Sequence, residues 1–304
     1  MNFAKPPVVA AVVFLLQLSS PLADAAEEEA LQPFVLASVS DIPVAEQAVA
    51  TVAALENAGF NLAGEYNPIE NAHVVVVTSP ELQAIATKTD RGGYGAGQRV
   101  SIAERDGKTE VAFVNPLYIQ HAYRLAGDMQ PVYDRLASAL GDIGPFGARK
   151  SMTPKKLAKY HYMIGMQRFD NPSELGEFDS HQAAIEAVER GLAAAGPLSR
   201  VYRIDLPGGQ QTVFGVGMRA ANEDQLDIDE AHQLSIVDFE GHSKVAYFPY
   251  EVLVTGSRVE ALHMRFRMAV HFPDLSMMGA HGFTKLMSSP GATEDILEQM
   301  VAKP

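Results

Sequence analysis

Apolar residues follow strand and helix periods in the same order in two parts of the chain. In the first part, residues 33–40 have the apolar character of a strand, and the next apolar residues recur at helical spacing up to Gly59, a helix stop. In the second part, residues 159–169 are predicted as a strand, and Ser180 is predicted to cap the following helix. The predicted inner faces are Val44, Ala48, Val49, Val52 and Leu55 in the first helix, and Ile185, Val188 and Leu192 in the second.

A hairpin pattern also occurs twice. VSIAER at 100–105 precedes DGKTEVAFVNP, and LSIVDF at 234–239 precedes EGHSKVAYFPY. In both cases an acid–Gly pair separates two apolar runs, which favours a tight turn between paired strands. A helix is predicted to close each part, at 131–140 and at 293–301. Both parts therefore contain a strand, a helix, several strands and a helix.

These patterns divide the chain into two units of mixed α and β structure. We predict a first α+β repeat over residues 31–141, a linker rich in Gly, Pro and basic residues over 142–157, and a second repeat over 158–304. The second repeat carries an acidic insertion at 221–232. The two repeats are predicted to pack on each other as two identical subunits would, forming a pseudo-dimer.

Four segments carry a resemblance to a known family: VAALENAGF at 52–60, HVVVV at 73–77, DGKTEVAFVNP at 106–116 and YHYMIGMQRFDNP at 160–172. With them the chain resembles a tandem, exported member of the domain-of-unknown-function 302 family. The resemblance implies that each repeat is a two-layer α+β domain of order β-α-β-β-β-β-α, with helices on one face of an antiparallel sheet. It implies no activity and no catalytic residues.

The N-terminal residues have the pattern of an export signal. A basic start at Lys5 precedes the apolar run 8–18, and Ala23-Asp24-Ala25 supplies the small residues of a cleavage site. We therefore predict a signal peptide over 1–25 and a soluble periplasmic or secreted protein, with an uncleaved N-terminal anchor as the alternative. The absence of Cys excludes disulfides, thiol nucleophiles and Cys-ligated zinc. A net charge of −13 argues against nucleic acid as a partner.

The segment HMRFRMAVHFPDLSMMGAH, at 263–281, concentrates Met and His. Residues 262–272 alternate strictly, with Met264 and Met268 in the apolar set, and this pattern is typical of a half-buried strand. On that interpretation the two Met fill the core. The opposite, cationic face is predicted as a binding site for a carboxylate or another anion. That face carries His263, Arg265, Arg267 and His271. The alternatives are a solvated outer face, or ion pairs with the acidic insertion.

Soft-metal binding is a further possibility, because Met is concentrated in the second repeat. Of the 12 Met, only Met1 and Met129 precede Met152. Thioether and imidazole groups suit Cu(I), so copper or haem handling is one hypothesis; divergence between the repeats, with Met as core filler, is the other. The candidate metal ligands are His161, Met163, Met277, Met278 and His281.

No catalytic motif identifies a reaction. The chain has no H-E-x-x-H and no G-x-S-x-G, and the Gly-rich segment 91–99 does not open a helix as a phosphate loop would. The leading hypothesis is a non-catalytic binding or accessory protein, with its ligand in the cleft between the repeats or on the cationic face. An enzyme that uses one of the nine His as acid or base is the remaining alternative.

Overall fold

The structure is a computed structural model that describes residues 1, 2, 4, 30–163, 165–194 and 196–302. Most of the predicted signal peptide, including its cleavage site, lies outside these residues. The described chain forms two antiparallel sheets with helices between and around their strands. The predicted α+β class is confirmed.

The first sheet has six strands in the order β2-β3-β4-β5-β1-β6. Its strands are β1 (Phe34–Ser40), β2 (Asn61–Tyr66), β3 (Ala72–Thr78), β4 (Gln98–Arg105), β5 (Lys108–Val114) and β6 (Gly144–Phe146). The helices of this part are α1 (Val44–Asn57), α2 (Pro80–Ala86), α3 (Pro116–Ala122) and α4 (Gln130–Leu140). Strand β6 lies within the predicted linker and pairs with β1.

The second sheet has five strands in the order β7-β11-β10-β9-β8. Its strands are β7 (Ser173–Glu177), β8 (Leu198–Asp205), β9 (Gln211–Met218), β10 (Tyr250–Thr255) and β11 (Arg258–Ala261). The helices are α5 (Pro154–Leu157), α6 (His181–Ala193), α7 (Glu230–Val237), α8 (Met264–His271) and α9 (Ser289–Val301). In both sheets the first strand along the chain lies beside the fifth, and the second lies at the far edge.

Several elements form for the reasons that the sequence indicates. Asp106 and Gly107 both have positive φ, at 53° and 73°, so the acid–Gly pair makes the tight turn between β4 and β5. The Ser180 side chain accepts the N–H of Ala183 and caps α6. Gly59 has a φ of 84° just beyond the end of α1. In α1, however, Val49 is 72% exposed and is not part of the inner face.

The second predicted hairpin is wrong. Residues 234–237 belong to helix α7, which Asp229 caps by accepting the N–H of His232, and residues 245–247 form a single 3-10 turn. The tight turn between the last two strands of this sheet lies further along the chain, between β10 and β11, where Gly256 has a φ of 56°. The predicted strand at 159–169 is wrong as well, because the described residues 159–163 and 165–169 form turns, bends and irregular segments, and the strand β7 begins at Ser173.

The predicted strand at 262–272 is also wrong, because Met264–His271 is the helix α8. The alternating pattern is misleading because α8 is buried on nearly all sides, so buried residues occupy consecutive positions. Met264 and Met268 are both buried in the core. The Met264 sulfur accepts a hydrogen bond from the Thr293 hydroxyl at 3.5 Å.

The edge strands β2 and β8 bring the two sheets together. They lie side by side without forming a ladder, and at Gly64 the backbones approach so closely that an added Cβ would lie 2.1 Å from the carbonyl oxygen of Val201. Glycine is therefore required at this position for the two edge strands to approach.

We predict that Gly64→Ala lowers the free energy of unfolding by about 1–3 kcal/mol, because the added methyl group forces the edge strands apart. Urea denaturation measures the change. Gly291→Ala, in the first turn of α9 with no atom within 4 Å of an added Cβ, is the control. Its stability should be unchanged or up to about 1 kcal/mol greater; equal losses in both variants would contradict the close approach at Gly64.

Candidate functional site

The four residues predicted to form a cationic strand face lie instead at the start of, and along, helix α8. His263, Arg267 and His271 are four positions apart and share one side of the helix, whereas Arg265 lies on another side. His263 caps the helix by accepting the N–H of Arg265. The prediction that these four residues share one face is therefore wrong, because they would do so only on a strand.

Arg267 and His271 belong to a buried cluster that joins the two sheets. Arg99 on β4 donates from Nη1 to the Glu251 carboxylate on β10 at 2.6 Å, and from Nη2 to Nε2 of His271 at 3.0 Å. The second oxygen of Glu251 accepts the Tyr202 hydroxyl at 2.8 Å. Arg267 and His271 have no exposed surface. These groups contact each other rather than solvent, so they fix how the sheets and α8 pack.

The cluster keeps His271 neutral. Its Nδ1 donates to the carbonyl oxygen of Arg267 at 2.8 Å, which leaves Nε2 as the acceptor for Arg99. Burial, followed by the charges of Arg99 and Arg267, holds the pKa of His271 well below its ordinary value. A second proton on the ring would break the hydrogen bond with Arg99 and add charge to a buried cationic site.

Arg267 is stabilised mainly by neutral groups. Its Nη2 donates to the carbonyl oxygens of Tyr247 at 2.6 Å and of Pro249 at 2.5 Å. The guanidinium also lies over the rings of Tyr247 and Tyr250, at 4.3 and 4.8 Å from their centroids. Glu251 is 3.7 Å away. Two guanidinium groups thus share one carboxylate, with carbonyl dipoles and aromatic faces supplying the remaining stabilisation.

A cleft of about 590 Å³ lies between the two parts of the chain, which is the size of an ordinary small-molecule site. Residues 145–149, around β6, form one wall, and the segments 237–244 and 272–281 form the others. Phe239 and Met278 line the cleft and are exposed, with 45% and 74% of their surface accessible to solvent. Apolar surface is thus combined with charged groups that include Arg149 and Asp274.

His242 is the most specifically positioned polar group in this cleft. Its Nδ1 donates to the buried carboxylate of Glu110, on β5 of the first sheet, at 2.6 Å. The second oxygen of Glu110 accepts the N–H of Ser243 at 2.9 Å. The imidazole ring itself is 44% exposed. A carboxylate at Nδ1 fixes the ring orientation and leaves Nε2 available to a ligand, to a metal ion or for proton transfer.

The first sheet also holds the segment that carries His242. Arg105 on β4 forms an ion pair with Asp238 at 2.8 Å and donates to the carbonyl oxygen of the same residue. Asp238 in turn accepts hydrogen bonds from Ser243 and from the N–H of Lys244. The 237–244 wall of the cleft is therefore bound to the first sheet through two carboxylates, those of Glu110 and Asp238.

The structure places the candidate metal ligands in separate surroundings. Met278 and His281 line the cleft, and the His281 ring stacks on Phe239 with centroids 4.0 Å apart. Met277 lines a small apolar pocket beneath α8. His161 and Met163 line neither of these sites, and the Met163 side chain is 48% exposed. Within the described ranges, no three His, Asp or Glu side chains are grouped to hold a metal ion.

Sequence reasoning did not find His242, Glu110, Arg99 or Glu251. Glu110 lies inside the apolar strand TEVAFV. A buried acid in such a position indicates that a hydrogen-bonding or basic residue contacts it, but the local sequence does not identify that residue. That partner is 132 positions away along the chain. Only the packing of the two sheets brings the residues of the site together.

We predict that Glu251→Gln lowers the free energy of unfolding by about 3–5 kcal/mol, because it leaves two buried guanidinium groups without a carboxylate. Urea denaturation is the measurement. Asp170→Asn removes the acid of the exposed Arg124–Asp170 pair and should cost at most about 1 kcal/mol. Similar losses in the two variants would show that the buried pair does not hold the sheets together.

We also predict a stability loss in acid that depends on His271. Below about pH 6.5 the unfolded chain binds a proton at this ring that the folded chain excludes, so stability falls by about 1.4 kcal/mol per pH unit. The variant His271→Asn keeps a donor for the Arg267 carbonyl and removes the titration. Urea midpoints from pH 7.5 to 5.0 should therefore fall more steeply in the wild type. Parallel slopes would contradict a neutral, buried imidazole.

Along the described residues, no helix is both long and apolar enough to cross a membrane. Comparison with known proteins gives no relative: no protein-family model, no curated protein and no solved structure matches the chain.

Proposed function

We propose that this chain is an exported, non-catalytic binding protein whose ligand occupies the cleft between its two parts. The observation that carries the proposal is His242, an imidazole held by a buried carboxylate of one sheet and turned toward a cleft formed with the other. A cleft of about 590 Å³ has the volume of an ordinary small-molecule site.

The lining of the cleft favours a small organic acid with an apolar body. The rings of Phe146 and Phe239 offer apolar surface. The guanidinium of Arg149 offers donors to a carboxylate, and the imidazole of His242 does so in its protonated form, in which Nε2 carries a hydrogen while Nδ1 stays bound to Glu110. Phe146 also contacts the ring of His242 edge-on, with centroids 5.3 Å apart. This contact places apolar surface directly beside the polar anchor.

We infer that the two parts are tandem copies of one unit, packed as a pseudo-dimer. The shared strand order supports this inference, as does a reciprocal pair of contacts. Glu110 and Glu260 are each the third residue of the fifth strand of their sheet, and each binds a residue of the other part: His242 and Arg91. The 3-10 turns Gly92–Gly95 and Val245–Tyr247 likewise pack on strands of the opposite sheet.

Export to the periplasm or the exterior, and membership of the domain-of-unknown-function 302 family, belong to the same proposal. The N-terminal pattern supports export, and the shared strand order is compatible with the duplicated α+β domain that the resemblance implies.

We predict that small carboxylic acids with an aromatic or branched apolar body raise the melting temperature of the full chain, and that the matching alcohols do not. His242→Ala should lose most of this shift, because the acid loses its fixed donor. His161→Ala removes a partly buried His outside the cleft and should respond as the wild type does. An acid-induced shift that survives in His242→Ala would place the ligand elsewhere.

Cu(I) binding is a second candidate function, favoured by one observation. Met278 and His281 line the same cleft as His242, whose Nδ1 is already bound to Glu110. Metal-binding His residues typically hold a carboxylate in this way, and thioether and imidazole groups are ligands that suit Cu(I).

If the cleft holds Cu(I), titration with a competing chromophoric chelator should give about one ion per chain, and Met278→Ala should weaken binding about tenfold or more. Met163→Ala, an exposed thioether outside the cleft, is the matched control. Equal affinities in the two variants, or no copper uptake in the wild type, would remove this candidate.

A further inference from the structure

A second, smaller cleft of about 310 Å³ opens where the edge strands β2 and β8 meet. Its lining comes from both sheets: residues 66 and 67 at the end of β2, 196–199 at the start of β8, 217–219 at the end of β9, and Glu230 at the start of α7. Two of the lining residues are closely packed, since a Cβ added at Gly217 would lie 2.9 Å from the Ser199 hydroxyl oxygen. The cleft is separate from the one that contains His242.

Glu230 contributes a buried carboxyl group to this cleft. The residue is 3% exposed, and the Tyr66 hydroxyl lies 3.0 Å from each carboxyl oxygen. A backbone hydrogen bond from Met218 adds a second donor. Both donors are neutral, so they orient the carboxyl group without balancing its charge.

Glu230 lacks a cationic partner among the described residues. The other three buried glutamates each bind a basic side chain: Glu251 forms an ion pair with Arg99, Glu260 forms one with Arg91, and Glu110 is hydrogen-bonded to His242. Glu230 forms none within 4.0 Å. Its placement is therefore different in kind from that of the other buried acids, and an ionised carboxylate there is costly.

Several charged and titratable groups surround Glu230. Asp229 is the N-cap just before it, Tyr66 on β2 touches it, and Arg267 on α8 and Tyr247 act at longer range. The 3-10 turn Glu223–Ile228, which packs on α7, carries Glu223, Asp224 and Asp227. Arg219 lines the cleft with an exposed side chain bound to the Asn67 carbonyl. Burial, the largest cause, raises the pKa of Glu230 to about 8. The carboxyl group is thus mostly protonated at neutral pH.

We propose that this cleft binds the ammonium group of a small primary amine, which forms an ion pair with Glu230 beside the Tyr66 hydroxyl. An ammonium group supplies the charge that the protein does not, and its three donors suit a carboxylate, a phenol oxygen and a backbone carbonyl. The volume of the cleft admits a short alkyl chain.

Binding should be linked to proton release. At pH 7 free Glu230 holds its proton, an alkylammonium ion arrives already charged, and the complex requires the ionised carboxylate. We therefore expect Glu230 to release close to one proton into the buffer for each amine molecule that binds. The dissociation constant should fall about tenfold per pH unit up to pH 8 and level off above it, where the carboxylate is already ionised.

The test is isothermal titration of the full chain with n-butylamine and with n-butanol, at pH 7 in two buffers of different ionisation enthalpy. We expect the amine to bind with release of close to one proton, and the alcohol to bind at least tenfold more weakly. Equal binding of amine and alcohol, or amine binding without proton release, would overturn the proposal. Both measurements use the wild-type chain and do not depend on the folding of a variant.

Variants then assign the effect to Glu230. Glu230→Gln should abolish amine binding and proton release together, whereas Glu260→Gln, a buried acid outside the cleft, should leave both unchanged. Because the Tyr66 hydrogen bond lowers the pKa of Glu230, Tyr66→Phe should move the levelling of the affinity to higher pH. Amine binding that persists in Glu230→Gln with its proton release would refute the assignment.

Discussion

The ion pair between Arg99 and Glu251 is the contact on which the arrangement of the two sheets depends. Both side chains are almost fully buried, at 4% and 2% exposure, and they come from the fourth strand of each sheet. The desolvation of a charge pair in this position is offset more fully as more of its remaining donors and acceptors are hydrogen-bonded. Tyr202 binds the second Glu251 oxygen and His271 binds Nη2 of Arg99, and they can do so only when β8 and α8 are packed in their observed places.

This constraint also determines where the cleft with His242 lies. With the two sheets joined by the Arg99–Glu251 pair, the hairpin of the first sheet contacts the segment before β10 through Glu110 and Arg105. The same relation holds in reverse, where Glu260 binds Arg91. The two contacts occupy matching places in the two parts. Arg91, which binds Glu260, has a side-chain exposure of 19%, whereas His242, which binds Glu110, has one of 44%. The His-containing contact lies on the cleft of about 590 Å³, and its more exposed side chain is therefore placed to bind a ligand.

Local patterns predicted the parts of the fold whose cause is local. The β4–β5 turn depends on the backbone freedom of two adjacent residues, and the start of α6 depends on one Ser hydroxyl, so both are visible in the sequence. Helix α8 was mistaken for a strand because burial on all sides removes the contrast between its faces, and its alternating Met and Arg then imitate a period of two. The second hairpin was predicted at the wrong place because residues 234–250 resemble the first hairpin in sequence. Asp229, just before them, is a helix cap and indicates the helix α7 instead.

The candidate site was less predictable for a related reason. Met278 and His281 were found from composition, but the groups that give the cleft its chemistry are joined over 132 positions, and no local spacing encodes such a contact. A Glu within an apolar strand is nevertheless a usable signal, and the chain gives it at both Glu110 and Glu260. Both of these acids proved to mark contacts between the two parts.

The buried acids also show how the two clefts differ in chemistry. Glu110 accepts a hydrogen bond from the His242 ring, which reaches the surface of the larger cleft, so that cleft offers an Nε2–H donor when the imidazole is protonated and suits an acid. Glu230 meets only neutral donors, so the smaller cleft offers an acceptor whose charge is unbalanced at high pH and suits a base. Glu230 accepts hydrogen bonds from Tyr66, in the first part of the chain, and from Met218. A neutral amide of the same shape could accept both bonds without the cost of a buried, unpaired carboxylate. The choice of an ionisable side chain at position 230 is therefore better explained by what that cleft binds than by what holds the sheets together.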